Sequence, residues 1–163
     1  MCGLITAMKI LNIIGFSLVF MFSHLTVFAQ TNFEQHFTGT QKEYYADGKP
    51  KYEVSTINGK KQGLEKFWYA SGQLYIQTNY LNDKEDGVWN QWFESGKLKL
   101  EAHYKNGLEH GLFTRWHENG QKAAEVNFVE GKKQGLESAW NNDGTLKYNT
   151  HYLDGQEVQL EAK

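Results

Sequence analysis

From Gly39 onward the chain repeats one pattern of apolar and polar positions. After Gly72, the residues Leu74, Ile76, Thr78 and Tyr80 alternate with Gln73, Tyr75, Gln77 and Asn79. One period later Leu98, Leu100, Ala102 and Tyr104 alternate with Lys97, Lys99, Glu101 and His103. Alternation of period two, rich in aromatic and β-branched residues, predicts a half-buried strand. A shorter run precedes each of these strands, with Leu64, Val88, Leu112 or Leu136 four positions ahead of a tryptophan. Its middle position is polar (Lys66, Asn90, Thr114, Ser138), so this strand is less strongly marked. Between the two runs stand Asp-Gly, Ser-Gly, Ser-Gly, Asn-Gly and Asp-Gly, at Gly48, Gly72, Gly96, Gly120 and Gly144. Such dipeptides between alternating runs are hairpin turns.

The register follows from which columns would share a face. A two-residue turn at Ser71-Gly72 sets Trp68 opposite Tyr75, whereas a three-residue loop, Ala70-Ser71-Gly72, sets it opposite Leu74. The equivalent partners in the longer loop are Pro50, Leu98, Lys122 and Leu146. Directly opposed residues lie on one face. The longer loop therefore joins the tryptophans to a mostly apolar column and is the register expected. On this reading Leu64, Val88, Leu112 and Leu136 continue the tryptophan face, together with the run Leu74, Ile76, Thr78 and Tyr80. Residues 58–63 and their equivalents, polar and glycine-punctuated, read as solvated return loops.

The period is 24 residues. Gly39, Gly63, Gly87, Gly111 and Gly135 keep it, as do Tyr44, Trp68, Trp92, Trp116 and Trp140. A further aromatic column runs Tyr80, Tyr104, Phe128 and Tyr152, with Thr56 in the first repeat. The heptapeptide Gly-Lys-Lys-Gln-Gly-Leu-Glu occurs twice, at residues 59–65 and 131–137. The fold class expected is all-β: an elongated single-sheet array of about five consecutive β-hairpins. Ten strands at roughly 4.8 Å each make a sheet about 45 Å long. One repeat cannot bury enough surface to fold alone, so stability should grow with repeat number.

The first 29 residues have a different character. No charge occurs from Ile10 to Phe33, Lys9 precedes the run, and residues 13–22 form its apolar centre. Val27 and Ala29 put small residues at −3 and −1 of a cut after Ala29. This is the pattern of a secretory signal peptide. The competing reading, a membrane anchor, needs about 20 solidly apolar residues, and Asn12, Ser17, Ser23 and His24 interrupt the run. Met8-Lys9 makes a better start than Met1, so the true start codon stays open between them. The domain plan is residues 1–29 signal peptide, 30–38 lead-in or N-terminal cap, 39–158 five repeats and 159–163 tail. Cys2 and all three methionines lie before the cut. The expected location is periplasmic, outer-membrane-associated or secreted.

The chain has 163 residues and a formal net charge of −2, without the basic stripe of a nucleic-acid protein. No phosphate loop, nucleophile elbow or zinc-protease helix occurs. His103 and His151 share a column two repeats apart, about 19 Å at strand spacing, too far for one metal. His110 and His117 lack converging ligands, and Asp83, Glu85 and Asp86 lack the length of a calcium loop. Neither an enzyme nor any cofactor is expected. Prominent residue types recur by column, as structural roles do.

The unit Gly63-Leu64-Glu65-Lys66-Phe67-Trp68-Tyr69-Ala70-Ser71-Gly72, with the alternating strand and Tyr80 behind it, resembles the MORN repeat family in its bacterial variant form. The resemblance spans Gly39 to Gly155. It implies an elongated sheet of hairpins used for protein or lipid contact. Proteins of this form are often labelled antitoxins of the YwqK type.

Where the columns break, a binding surface is suggested. Trp89 and Phe113 occupy a column held elsewhere by Gln41, Glu65 and Glu137, read as the outer face. Phe93 belongs to another, with Tyr45, Tyr69, His117 and Asn141. Trp89, Phe93 and Phe113, with Phe67, form a candidate partner-binding patch over the central repeats. Packing by Phe33 and Phe37, or by Val158 and Leu160, is the alternative use of it. The Trp and Tyr columns themselves read as structural packing, though such rings also make platforms for sugars or a partner's apolar side chains. The function expected is a non-enzymatic exported repeat protein presenting its sheet to an unknown protein or envelope component. The alternatives are a carbohydrate- or peptidoglycan-binding module and an antitoxin-type protein. The free sheet edges leave room for homo-association.

Overall fold

The computed structural model describes residues 37–159. The expected signal peptide, all of the expected lead-in but Phe37 and Thr38, and the tail beyond Gln159 lie outside the described residues. Thirteen strands follow in order: β1 (Gly39–Tyr44), β2 (Pro50–Ile57), β3 (Lys60–Trp68), β4 (Leu74–Leu81), β5 (Lys84–Glu85), β6 (Gly87–Trp92), β7 (Leu98–Lys105), β8 (Leu108–Glu109), β9 (Gly111–Trp116), β10 (Lys122–Val129), β11 (Lys132–Trp140), β12 (Leu146–Leu153) and β13 (Gln156–Val158). All belong to one antiparallel sheet in which chain neighbours pair. The short arms β5 and β8 pair only with β4 and β7. The array of hairpins is the one the 24-residue period predicts.

Each hairpin closes through a three-residue loop. Tyr69 N donates to Gln73 O at 2.9 Å and Gly72 N to Tyr69 O at 2.9 Å. Gly72 has φ 94°, a left-handed conformation that costs a residue with a Cβ. Trp68 faces Leu74, and Tyr44, Trp92, Trp116 and Trp140 face Pro50, Leu98, Lys122 and Leu146, the expected register.

The residue after that pair changes the face assignment. Trp68 faces Leu74, but Phe67 faces Ile76, so two residues of β4 oppose one of β3. This bulge inverts the parity of everything behind it. Ile76, Thr78 and Tyr80 lie with Phe67, Glu65 and Gly63, opposite in face to Trp68, Lys66 and Leu64. The expectation that the Trp and Tyr columns share a face is therefore corrected in every repeat. Leu64, Val88, Leu112 and Leu136 do follow the tryptophans, but on a face where each is 40–45% exposed. Trp68, Trp92, Trp116 and Trp140 are half-buried there, and Tyr44 is exposed.

The other face holds the core. Val54, Thr78, Ala102 and Val126 form its most buried column, at 1–3% exposure. Among the described residues no second layer covers them. Larger neighbours do so instead: Trp89 opposite Ala102, Phe113 opposite Val126, Phe67 beside Tyr52 with ring centroids 4.8 Å apart. Gly63, Gly87, Gly111 and Gly135 stand opposite Tyr80, Tyr104, Phe128 and Tyr152, so on that side the paired position carries no side chain.

The expected return loops are strand. Ile57 pairs with Lys60 around Asn58-Gly59, whose φ values of 51° and 75° are those of a tight two-residue hairpin turn. Successive turns interlock: Gly107 N donates to Glu85 O, Gly131 N to Glu109 O and Gly155 N to Lys133 O, at 2.8–2.9 Å. Gly72→Ala should destabilise the protein by about 1–2 kcal/mol through backbone conformation, because an added Cβ would meet nothing closer than 3.5 Å. Denaturant titration measures this, and no loss would mean the loop is not left-handed at Gly72.

Candidate functional site

The core face changes chemistry along the sheet. In repeat two Glu65 is 4% exposed, between Val54 and Thr78 of the neighbouring strands. Tyr52 Oη donates to Glu65 Oε1 at 2.7 Å, and Lys61 Nζ donates to the same oxygen at 2.6 Å. Lys61 Nζ also lies 4.7 Å from the Tyr80 ring centroid. Repeat five copies this, with Lys133 Nζ donating to Glu137 Oε2 at 2.7 Å and lying 4.7 Å from the Tyr152 ring. A carboxylate this buried is tolerable because it is paired and hydrogen-bonded.

These contacts shift the titrating groups. Burial first, then the bond to Glu65, holds the Tyr52 phenol well above its ordinary 10.0. Burial and the charges of Glu65 and Glu85 do the same to Tyr80. Burial alone would lower Lys133, but its bond to Glu137 and the charge of Glu137, with smaller contributions from Tyr152 and Tyr148, together outweigh that and raise it.

Repeats three and four replace both partners. Glu85 and Glu109 stand one and two periods after Lys61, while Trp89 and Phe113 stand where Glu65 and Glu137 do. The Phe113 ring meets Phe128 edge-on, centroids 6.0 Å apart. Trp89, Phe113 and Phe67 thus share the core face, all half-buried. That face is the buried one, not the outer one of the sequence reading, because of the bulge. Glu65 and Glu137 belong to it as bonded core carboxylates. The repeated heptapeptide, which holds both the Lys and the Glu, was the available signal for them.

Phe93 stands apart from these three. It belongs to a column at the hairpin tips that joins one repeat to the next. Tyr45 Oη donates to Trp68 O at 2.6 Å, Tyr69 Oη to Trp92 O at 3.0 Å, and the His117 ring through Nε2 to Trp140 O at 2.9 Å. Phe93 has no group to donate, and Lys99 Nζ lies 5.4 Å from its ring. Among the described residues no cluster of three or more His, Cys, Asp or Glu could hold a metal ion.

The sequence matches the family described as MORN repeat variant over residues 37–58, 61–82, 85–106 and 109–130. The chain belongs to that family. A MORN sheet is a non-catalytic scaffold, and this one carries a fifth unit beyond the matched residues. There Trp140 faces Leu146 and Ala139 faces Tyr148, with the same bulge. The crystal structure of TarM is similar at 10% identity and a TM-score of 0.37, over 83% of this chain and 26% of that one. The chain thus spans about a quarter of the TarM chain's length. No curated protein matches the chain.

Two predictions test this MORN geometry. Phe93→Tyr restores the missing tip donor, and a bond to Trp116 O should stabilise the fold by about 0.5–1.5 kcal/mol. An unchanged denaturation midpoint would show that the tip column does not couple repeats. The second concerns alkali. Above pH 10 the unfolded chain ionises its tyrosines while the folded chain keeps Tyr52 and Tyr80 protonated. The folded state then binds more protons, so stability falls as pH rises. Thermal midpoints should drop above about pH 10, and less steeply in Tyr52→Phe/Tyr80→Phe. Equal slopes in both proteins would place the loss elsewhere.

Proposed function

We propose that this MORN scaffold is exported and presents its core face over repeats three and four to another protein or envelope component. The observation that carries the reading is the break in symmetry at Trp89 and Phe113. Aromatic side chains replace bonded carboxylates there, on a face without a second layer among the described residues. A contiguous apolar patch left half-exposed is the usual mark of an interaction site. Phe67 extends the patch, whereas Phe93 serves the tips. Export is supported by the charge-free run before Ala29.

A second reading, binding of carbohydrate or peptidoglycan, draws on the opposite face. Trp68, Trp92, Trp116 and Trp140 recur there every two strands, roughly 9.6 Å apart. Flat indole rings at regular intervals suit a chain of sugars. An antitoxin-type role would need the chain in the cytoplasm, and fractionation that finds it there uncleaved favours that role over export.

Capture from envelope extracts separates these readings. The tagged protein is expected to recover a protein partner, and Trp89→Ser with Phe113→Ser should lower recovery at least tenfold while a cooperative melting transition persists. Recovery of glycan alone replaces the first reading with the second. Wholesale unfolding of the double variant would make the two residues core rather than surface.

A further inference from the structure

We propose that the partner at this surface is a basic polypeptide segment. Its lysine or arginine takes the position over the Tyr104 ring between Glu85 and Glu109, and its adjoining apolar side chains rest on Trp89 and Phe113. This rests on the reading of the core face as a docking surface and names the chemistry of what docks.

The chain supplies its own template. Lys61 lies over Tyr80 and bonds Glu65, and Lys133 lies over Tyr152 and bonds Glu137. In both cases the tyrosine stands opposite a glycine, Gly63 or Gly135, so one side of the ring has no paired side chain, while Glu85 or Glu157 pairs on the other. Repeat three keeps this setting: Tyr104 stands opposite Gly87 and, on its other side, pairs with Glu109. What changes is the cation, because the residue one period after Lys61 is Glu85.

Tyr104 is therefore flanked by two carboxylates where Tyr80 has Lys61 on one side and Glu85 on the other. Burial, then Glu109 and Glu85, raise the Tyr104 phenol, so both charges bear on one ring. Neither glutamate enters an ion pair among the described residues. A ring face is itself attractive to a cation, so three groups converge on the same preference. Two carboxylates at the rim also disfavour a phosphate-bearing partner by like charge.

The surface beside this position is apolar. Trp89 with Ala102, and Phe113 with Val126 and Phe128, continue it across two repeats. Arg115, which pairs with Leu100 and Ala124, lies beyond Phe113 toward the hairpin tips. A docked segment consequently has its cation at the return-turn side, away from Arg115.

Three synthetic peptides test the proposal by fluorescence anisotropy with the purified protein. One carries Leu-Lys-Leu in a Gly/Ser frame, one replaces Lys with norleucine, and one replaces it with Glu. The Lys peptide is expected to bind at least tenfold more tightly than either analogue and to weaken in high salt. Glu85→Gln with Glu109→Gln should cost it at least tenfold, and Trp89→Ser likewise. Glu157→Gln, in the same column of repeat five, should change nothing. Equal binding of the Lys and norleucine peptides, absence of binding, or affinity that survives the double glutamate substitution overturns the proposal. If envelope capture still fails with Trp89→Ser and Phe113→Ser, the docking surface stands and only its cationic partner is refuted. If capture ignores those substitutions too, both readings fall.

Discussion

Opposite each column tryptophan, the second strand of the hairpin fits two residues against one. That bulge decides which side chains meet. It moves Ile76, Thr78 and Tyr80 away from Trp68 and onto the face of Phe67 and Glu65. The buried column, the bonded carboxylates and the central aromatic patch all exist only because this inversion repeats in step with the period. A sheet of the same sequence without bulges would bring the Trp and Tyr columns together and leave Glu65 among solvated groups. Register errors in sheets are costly for this reason, since one residue of slip exchanges the two faces.

Much of this was legible in the sequence. The period, the strands, the three-residue tip loop and the Trp68–Leu74 pairing all followed from glycine spacing and alternation. The faces did not, because a count of alternating positions from Leu74 to Tyr80 assumes that the pairing stays one to one. The return segment at residues 58–63 was obscured differently. Asn58-Gly59 is a tight-turn signal, but Lys60, Lys61 and Gln62 behind it look solvated, and the ammonium of Lys61 in fact sits over the Tyr80 ring. The patch residues Trp89 and Phe113 stood out as breaks in a column. Phe93 looked equivalent to them, and only the hydrogen bonds of Tyr45, Tyr69 and His117 show that its column joins repeats.

The scaffold has little depth, so its energetics are those of neighbours. Among the described residues the buried column is covered by side chains one strand away, and no element reaches across the array. Repeats two and five meet their polar requirements internally through Lys61 with Glu65 and Lys133 with Glu137. The central repeats place Glu85, Glu109, Trp89 and Phe113 at those same column positions, and their aromatic surface is where the array differs from a uniform solenoid.

The interlocked return turns have one more consequence. A backbone donor in each return turn after the first is satisfied by a carbonyl just past the turn before it. A cut or insertion of anything other than a whole unit would orphan such a group. Growth of the array by duplication is therefore quantised: each added unit lengthens the sheet by two strands, roughly 9.6 Å, and leaves the existing bonds intact. The heptapeptide shared by residues 59–65 and 131–137 recurs at a whole number of units, and the spacing between equivalent positions along the sheet comes in the same fixed increments.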